Sequence, residues 1–188
     1  MKARTMRQLI FWAIYIPWAI SFFYVFHYRT PSVPKPISVQ MPTERSIQKD
    51  LKNEQRQKQY VQASKSAYYI YHRNHCSGEL ADVTGRIAVD SGVPSRLLAA
   101  LVYVESSCNP NAVSGKRSIG LTQVNPLVWN YTRAELRDPE RNLRIGATIL
   151  SAYVRKFGLV GGLHHYNGLG NPTNDYADKV LTAAGLKG

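Results

Sequence analysis

The sequence predicts an all-α fold, in which a C-terminal helical domain follows a polar helix and an apolar N-terminal segment. After residue 75, apolar residues recur at helical spacing, glycine and proline stand where helices would end or begin, and no run alternates apolar with polar residues as a half-buried strand does. With 188 residues, 44% of them hydrophobic, the chain has room for one ordinary globular domain plus appendages. This size excludes a multi-domain enzyme.

The first 29 residues are predicted to form a membrane anchor. Between Arg7 and Arg29 lie 21 residues without Asp, Glu, Lys or Arg, and a helix of this length spans roughly 30 Å, one hydrocarbon core. The alternative is a signal peptide cleaved after the small residues 19–21. Such cleavage would leave the apolar residues 22–26 exposed at the new N-terminus, so a retained single-pass anchor is the first interpretation.

Residues 30–75 are predicted to be a proline-rich linker and a polar helical stalk. Four prolines between residues 31 and 42 favour an extended spacer. From Glu44 to about His72 the pattern is that of one helix with sparse apolar positions, which is typical of a solvated stalk rather than a coiled coil. The tyrosines near its end, Tyr68, Tyr69 and Tyr71, are expected to dock onto the domain that follows.

Residues 76–188 are predicted to be a helical domain. Gly92 is suited to end a first helix, Ser95 to cap a second, and Gly158 to stop a third that opens with Pro139. The helices expected from these signals cover residues 80–91, 96–107, 138–158, 163–166 and 174–184.

The net charge of +12 lies mainly in the N-terminal part. Residues 1–75 hold 12 basic and 3 acidic side chains, whereas residues 76–188 hold 12 and 9. Basic residues beside an apolar segment fit attraction to anionic lipid headgroups or to an acidic polymer. No basic patch interleaved with aromatic residues is visible, so we predict no binding to nucleic acid.

The second helix of the domain is apolar on every side, which indicates burial, yet it ends in Glu105. Glu105 shares a face with Leu101 and Leu98, so a carboxyl is carried to the mouth of the core. Desolvation, the negative end of the helix dipole and the absence of Lys or Arg over residues 97–115 would raise its pKa, as suits a general acid. The alternative is that Glu105 turns outward and caps neighbouring amides, and periodicity alone leaves both open.

Three ordered motifs extend this pattern. Glu105 begins the stretch Glu-Ser-Ser-Cys, residues 118–125 read Ser-Ile-Gly-Leu-Thr-Gln-Val-Asn, and residues 165–168 read His-Tyr-Asn-Gly. Together they resemble the soluble-type lytic transglycosylase family, whose helical fold is like that of goose-type lysozyme. The resemblance covers residues 80–184 and implies a lysozyme-like fold for the domain.

The resemblance also implies a site, with Glu105 as the single catalytic acid and base. The family's serine and glutamine contact the sugar beside the scissile bond, and its tyrosine orients the glutamate. The corresponding positions are Ser114, Gln123 and Tyr166. The resemblance also implies that Gly120, Leu121 and Asn167 belong to the substrate-binding site. Three residues depart from the family pattern and bear on the shape of the groove: Thr122, where Met is common, and Ser118 and His165, where Ala is usual.

The implied reaction cleaves the β-1,4 bond between N-acetylmuramic acid and N-acetylglucosamine in peptidoglycan and leaves a 1,6-anhydro end, with no metal or cofactor. Ordinary glycosidases need two carboxylates, but the next acidic residue after Glu105 is Glu135, so the motif offers one. The alternatives are a lysozyme-type hydrolase with the same fold and a non-catalytic wall-binding scaffold of an envelope-spanning machine.

Since peptidoglycan lies outside the inner membrane, we expect a single-pass inner-membrane protein with a periplasmic domain; a secreted or virion-membrane form is the alternative. A secretion, conjugation or phage-entry apparatus is a compatible partner. In that compartment Cys76 and Cys108 are expected to form a disulfide that contributes about 3 to 4 kcal/mol, with two free thiols as the alternative. Ligation of a metal by Cys76 with His72 and His75 is not predicted, because a second ligand pair is missing.

Overall fold

The computed structural model describes residues 41–168 and 175–187, and in these two ranges every regular element is helical. The helices are α1 (Glu44–Arg73), α2 (Ala81–Ser91), α3 (Ser95–Ser106), α4 (Pro126–Trp129), α5 (Arg133–Arg137), α6 (Pro139–Tyr166) and α7 (Tyr176–Ala183), with a 3-10 turn at Gly78–Leu80 before α2. The predicted all-α class is confirmed for this part of the chain.

The predicted membrane anchor over residues 1–29 lies outside the described residues, as does most of the proline-rich linker. Among the helices of the described ranges, none is both long enough and apolar enough to cross a bilayer.

Helix α1 is packed onto the domain at its C-terminal end. Residues 51–59 are exposed, as expected of a solvated stalk, but Ala67, Ile70 and Tyr71 are fully buried. The Tyr71 hydroxyl is hydrogen-bonded to Thr84 of α2 at 2.8 Å. Of the three tyrosines expected to dock, Tyr71 does so, whereas Tyr68 and Tyr69 are 52% and 55% exposed.

The compact unit of helices begins at Thr43, so α1 belongs to it together with the helices that follow. The division at residue 76 into a stalk and a catalytic domain stays a prediction. The buried residues of α1 are concentrated near one end of a 30-residue helix. The polar composition of the helix as a whole therefore conceals the part that packs. Farther along α1, Arg56 and Tyr60 reach the Asp90 carboxylate of α2 at 2.7 and 2.8 Å and hold the two helices together beyond the apolar contact.

Helix α3 forms the centre of the domain. Residues 97–102 have no exposed surface, which confirms the burial predicted from its composition. Ser95 is not the cap that the sequence predicted: the helix starts after Pro94, whose carbonyl accepts from the amides of Leu97 and Leu98 at 2.9 and 3.1 Å. The helix ends at Ser107, which adopts a left-handed conformation.

Helix α6 joins two segments that the sequence treated as separate helices. It runs from Pro139 to Tyr166 and is interrupted at Gly158, whose φ and ψ are 73° and 176°. The predicted stop at Gly158 is thus a kink, because the chain resumes helical geometry directly afterwards. The last helix begins at Tyr176, and residue 174, its predicted start, lies outside the described residues.

Helices α4 and α5 were not predicted, because both are short. Helix α5 nevertheless carries a local signal. The Thr132 side chain accepts from the Glu135 amide while the Glu135 carboxylate accepts from the Thr132 amide, a capping box readable as Thr-x-x-Glu in the sequence.

We predict that Gly85→Ala destabilises the domain by loosening α1 from α2. A Cβ at position 85 would lie 2.4 Å from the backbone nitrogen of Ser64, which cannot move without displacing α1. Overpacking of this kind costs about 1 to 3 kcal/mol, measurable by urea unfolding. Gly115→Ala is the matched control, since a Cβ there meets no atom within 4 Å; equal losses in both variants would contradict the close packing.

Candidate active site

The Glu105 side chain lies in the last turn of α3 and turns inward. The Tyr176 hydroxyl, at the start of α7, donates a hydrogen bond to Glu105 Oε1, and Tyr176 is itself buried. Burial raises the pKa of the Glu105 carboxyl to about 7, and the hydrogen bond from Tyr176 opposes this rise only in part. The structure therefore has the inward arrangement, in which desolvation is the main cause of the raised pKa.

The hydrogen bond to the carboxyl comes from Tyr176, whereas the resemblance assigned this role to Tyr166. The Tyr166 hydroxyl instead donates to the backbone carbonyl of Thr122 at 2.8 Å. Burial, and to a smaller extent the charge of Glu105, raises the pKa of Tyr166. Sequence reasoning missed Tyr176, which is 71 positions from Glu105 and belongs to none of the three motifs.

The second motif forms a tight loop beside the end of α3. Ile119 makes isolated antiparallel bridges with Val113 and Val124, and Gly120 and Gln123 have positive φ values of 79° and 50°. The Ser106 hydroxyl donates to the carbonyl of Leu121 at 2.9 Å and connects the loop to the helix that carries Glu105.

Two of the predicted substrate-binding residues are interior. Leu121 has no exposed surface, and Gly120 is buried with Asn142 against it: a Cβ at position 120 would lie 2.4 Å from Asn142 Nδ2. Gly120 and Leu121 therefore shape the loop from within, because a side chain at position 120 would collide with the core; that they bind substrate stays a prediction.

Asn142, on α6, holds this loop from the inside and was not predicted. It is fully buried and accepts from the Thr122 amide at 2.9 Å and from the Thr122 hydroxyl at 2.7 Å. Its amide nitrogen donates to the carbonyls of Ile119 and Leu136 at 2.8 and 3.0 Å. Thr122 is likewise fully buried, so its departure from the family pattern is accommodated in the core.

Gln123, Ser114 and Asn167 remain partly or fully exposed. The Gln123 amide nitrogen donates to the carbonyls of Gly120 and Ala112 at 2.9 and 3.3 Å, which fixes the side chain. The Ser114 hydroxyl oxygen accepts from the amide of Ser118 at 3.1 Å. Asn167 directly follows Tyr166 at the end of α6.

Cys76 and Cys108 form a disulfide with a Cα–Cα distance of 5.9 Å, as predicted. The bridge joins the segment after α1 to the loop after α3, three residues beyond Glu105. Because both sulfur atoms are in the disulfide, Cys76 is not available to bind a metal together with His72 and His75.

Glu135, the next acidic residue after Glu105, has a structural role. It caps α5 and pairs with Arg141. Among the described residues, no charged group contributes to the raised pKa of Glu105: burial raises this pKa, and the hydrogen bond from Tyr176 lowers it in part. The arrangement therefore presents a partly buried carboxyl that can donate a proton near neutral pH and take one back.

A family model, described as the transglycosylase SLT domain, matches residues 83–184, more than half of the chain. The chain belongs to this family. The match confirms the resemblance inferred from the three motifs. The matched residues begin within α2 and include α3 to α7. Helix α1, which packs against α2, precedes the matched residues.

The SLT domain is also similar to curated proteins. Over 72 residues the chain is 39% identical to the endo-type membrane-bound lytic murein transglycosylase A of Salmonella paratyphi B (strain ATCC BAA-1250 / SPB7), and equally to the proteins of that name from Salmonella paratyphi A and Salmonella enteritidis PT4 (strain P125109). The match covers 32% of this chain and 36% of each relative. The chain thus spans little more than one third of the length of these relatives.

We predict that Glu105→Gln changes how the stability of the SLT domain depends on pH. Because the pKa of the carboxyl is raised from 4.5 to about 7, ionisation costs more in the folded than in the unfolded chain. The original chain should therefore lose stability as pH rises from about 4.5 through 7, by at most about 3 kcal/mol, while the variant does not.

Urea unfolding over a pH series measures this difference. The two chains should be similarly stable near pH 4, and the variant should be the more stable near pH 8. Glu79→Gln, at an exposed acidic residue, serves as the control. A difference between Glu105→Gln and the original chain that is constant with pH would show that the carboxyl is not desolvated.

Proposed function

We propose that this chain is a peptidoglycan lytic transglycosylase. It cleaves the β-1,4 bond between N-acetylmuramic acid and N-acetylglucosamine and leaves a 1,6-anhydromuramoyl end. The observation that carries the proposal is the partly buried carboxyl of Glu105, with its pKa raised to about 7 and Tyr176 bound to it. Family membership and the name of the Salmonella relatives support the same reaction.

In the first step, protonated Glu105 donates its proton to the glycosidic oxygen as the bond from C1 to that oxygen breaks. In the second step, the resulting carboxylate accepts the proton of the C6 hydroxyl while O6 attacks C1 and closes the anhydro ring. The proton is recovered by Glu105, and water takes no part. A pKa near 7 serves both steps, because the protonated acid and the carboxylate base are both well populated at neutral pH.

The motif around Glu105 offers one carboxyl, which favours this route over ordinary hydrolysis. Hydrolytic glycosidases place a second carboxylate about 5 to 9.5 Å from the acid, as nucleophile or as base for water. Glu135, the nearest acidic candidate after Glu105 in the sequence, is committed to capping α5 and to Arg141. The substrate's own C6 hydroxyl then supplies the nucleophile that the protein lacks.

Ser114 and Gln123 are proposed to bind the N-acetyl group beside the scissile bond. Both hydrogens of the Gln123 amide are directed at backbone carbonyls, which leaves its carbonyl oxygen to accept a hydrogen bond from a sugar amide or hydroxyl. The Ser114 oxygen accepts from a backbone amide, which leaves its hydroxyl hydrogen free to donate. Asn167 extends the same wall past Tyr166.

We further propose that the protein is held at the inner membrane by residues 1–29, with the SLT domain on the periplasmic side. The uncharged run between Arg7 and Arg29 is long enough for one span. A disulfide suits an oxidising compartment, and peptidoglycan lies there. Local wall opening by an anchored enzyme would serve a secretion, conjugation or phage-entry apparatus.

Glu105→Gln is expected to abolish cleavage of purified sacculi by the full-length chain, since glutamine has no proton to donate to the leaving oxygen. Mass spectrometry of soluble products should show 1,6-anhydro ends for the original chain. Reducing ends would instead assign a lysozyme-type hydrolase. Cleavage that persists in a folded Glu105→Gln protein, with Glu79→Gln as the active control, would remove Glu105 from the reaction and leave a wall-binding scaffold as the alternative.

Tyr176→Phe is expected to move the alkaline limb of the pH–rate profile to higher pH. The hydrogen bond from Tyr176 lowers the pKa of Glu105, so its loss raises that pKa further, and the misoriented carboxyl should reduce kcat by about tenfold or more. Tyr166→Phe is the matched control, since its hydroxyl binds Thr122 and not the carboxyl. A shift in the Tyr166 variant alone would reverse the assignment of the two tyrosines.

A further inference from the structure

Four aromatic side chains form a cluster at the kink of α6, which we name the aromatic cluster: Trp129, Tyr153, Phe157 and His165. The ring of Tyr153 lies 6.1, 6.2 and 5.6 Å from the rings of Trp129, Phe157 and His165. Phe157 and His165 stack face to face, with centroids 3.6 Å apart and planes within 9°. None of these side chains has a role in the chemistry proposed for Glu105.

The kink at Gly158 is what brings Phe157 onto His165. In a straight helix, residues eight positions apart are separated by about 12 Å along the axis, too far to stack. Gly158 has a φ of 73°, a conformation that glycine adopts without the cost a side chain would impose. Since His165 stands where the family usually has Ala, the stacked pair is a feature of this chain.

The cluster is open to solvent. Trp129 and Phe157 are 38% and 37% exposed, although rings that stabilise a fold by packing are normally buried. Large apolar side chains grouped at a surface commonly mark a binding site. Lys156 also lies there, with its ammonium 5.0 Å from the centre of the Phe157 ring, so the cluster presents a positive charge beside its apolar faces.

The cluster is continuous with the candidate active site through Tyr166. Tyr166 follows His165 in the chain, and Tyr166 and Tyr153 pack against the same group of buried side chains. Tyr166 also packs against the core group that Val104 of α3 contacts, one residue before Glu105, so it borders both the end of α3 and the residues beneath the cluster. A strand bound at Glu105 therefore has an adjoining aromatic surface along which to extend.

We propose that the aromatic cluster is a sugar-binding subsite that holds the peptidoglycan strand beyond the two sugars joined by the scissile bond; this inference rests on the proposed function. The faces of β-linked sugars carry C–H groups that pack against aromatic rings, and Trp129 and Phe157 present such rings. Lys156 complements the carboxylates of the lactyl group or stem peptide. The subsite makes the enzyme favour long strands over short fragments.

Trp129 offers a direct probe, because Trp12 and Trp18 are the other tryptophans of the chain. The full-length chain would carry Trp12→Phe and Trp18→Phe, so that fluorescence reports Trp129, and Glu105→Gln to prevent turnover. It is titrated with purified peptidoglycan glycan strands, from a disaccharide to an octasaccharide. We expect a saturable change in emission with the octasaccharide and none with the disaccharide.

In this background Phe157→Ala and His165→Ala should each weaken binding of the octasaccharide by about tenfold, as truncation of a central aromatic contact does. Val61→Ala, at an exposed apolar residue of α1, should leave the affinity unchanged. Circular dichroism and thermal unfolding verify that each variant is folded.

The outcomes separate this inference from the proposed function. A Trp129 signal that does not change with any strand would overturn the subsite whatever the cleavage assay shows. So would an octasaccharide affinity that is the same in the Phe157→Ala and His165→Ala variants as in the background that carries neither change. A signal that responds to anionic lipid vesicles in place of glycan would overturn it too and assign the surface to the membrane. Length-dependent binding would support the subsite even where the chain with Glu105 intact cleaves no sacculi. In that case the subsite stands and the proposed reaction fails.

Discussion

The burial of α3 on all of its sides is the constraint on which the rest of this structure depends. Six successive residues without exposed surface require neighbours in every direction. Helices α1, α2 and α7 pack directly against α3, and buried residues of α6 belong to the same core. This requirement draws the end of a mostly polar helix into the domain. Glu105 lies three residues beyond the buried run and is only partly exposed, so the same packing that stabilises the helix perturbs its carboxyl.

A second requirement follows, since a perturbed carboxyl is useful only if the groups around it are held in place. Asn142 meets this requirement without approaching the carboxyl. Its side chain satisfies polar backbone groups of the loop that carries Gln123, and a buried amide with all its partners is far more constraining than apolar packing of the same volume. Gly120 and Gly146 complete the arrangement because each leaves room for a polar side chain against its backbone.

Much of the fold could be read from the sequence because its signals are local. Gly92, Pro139 and the apolar run of α3 mark helix ends and burial through short-range chemistry. The packing of α1 onto the domain could not be read from the sequence, because the buried residues of α1 are few and depend on partners in α2. The same reason applies to the site: Glu105 and Gln123 lie in recognisable motifs, whereas Tyr176 and Asn142 act across long separations that no local pattern encodes.

The disulfide has a mechanical consequence. A chain tethered at its N-terminus transmits any tension through α1, which ends just before Cys76. From there the covalent path divides: one branch follows the backbone into α2, and the other crosses the sulfur bridge to Cys108, beside the helix that carries Glu105. Tension that reaches α1 is therefore shared between two elements of the domain, because the chain just after α1 is covalently linked to the loop next to Glu105.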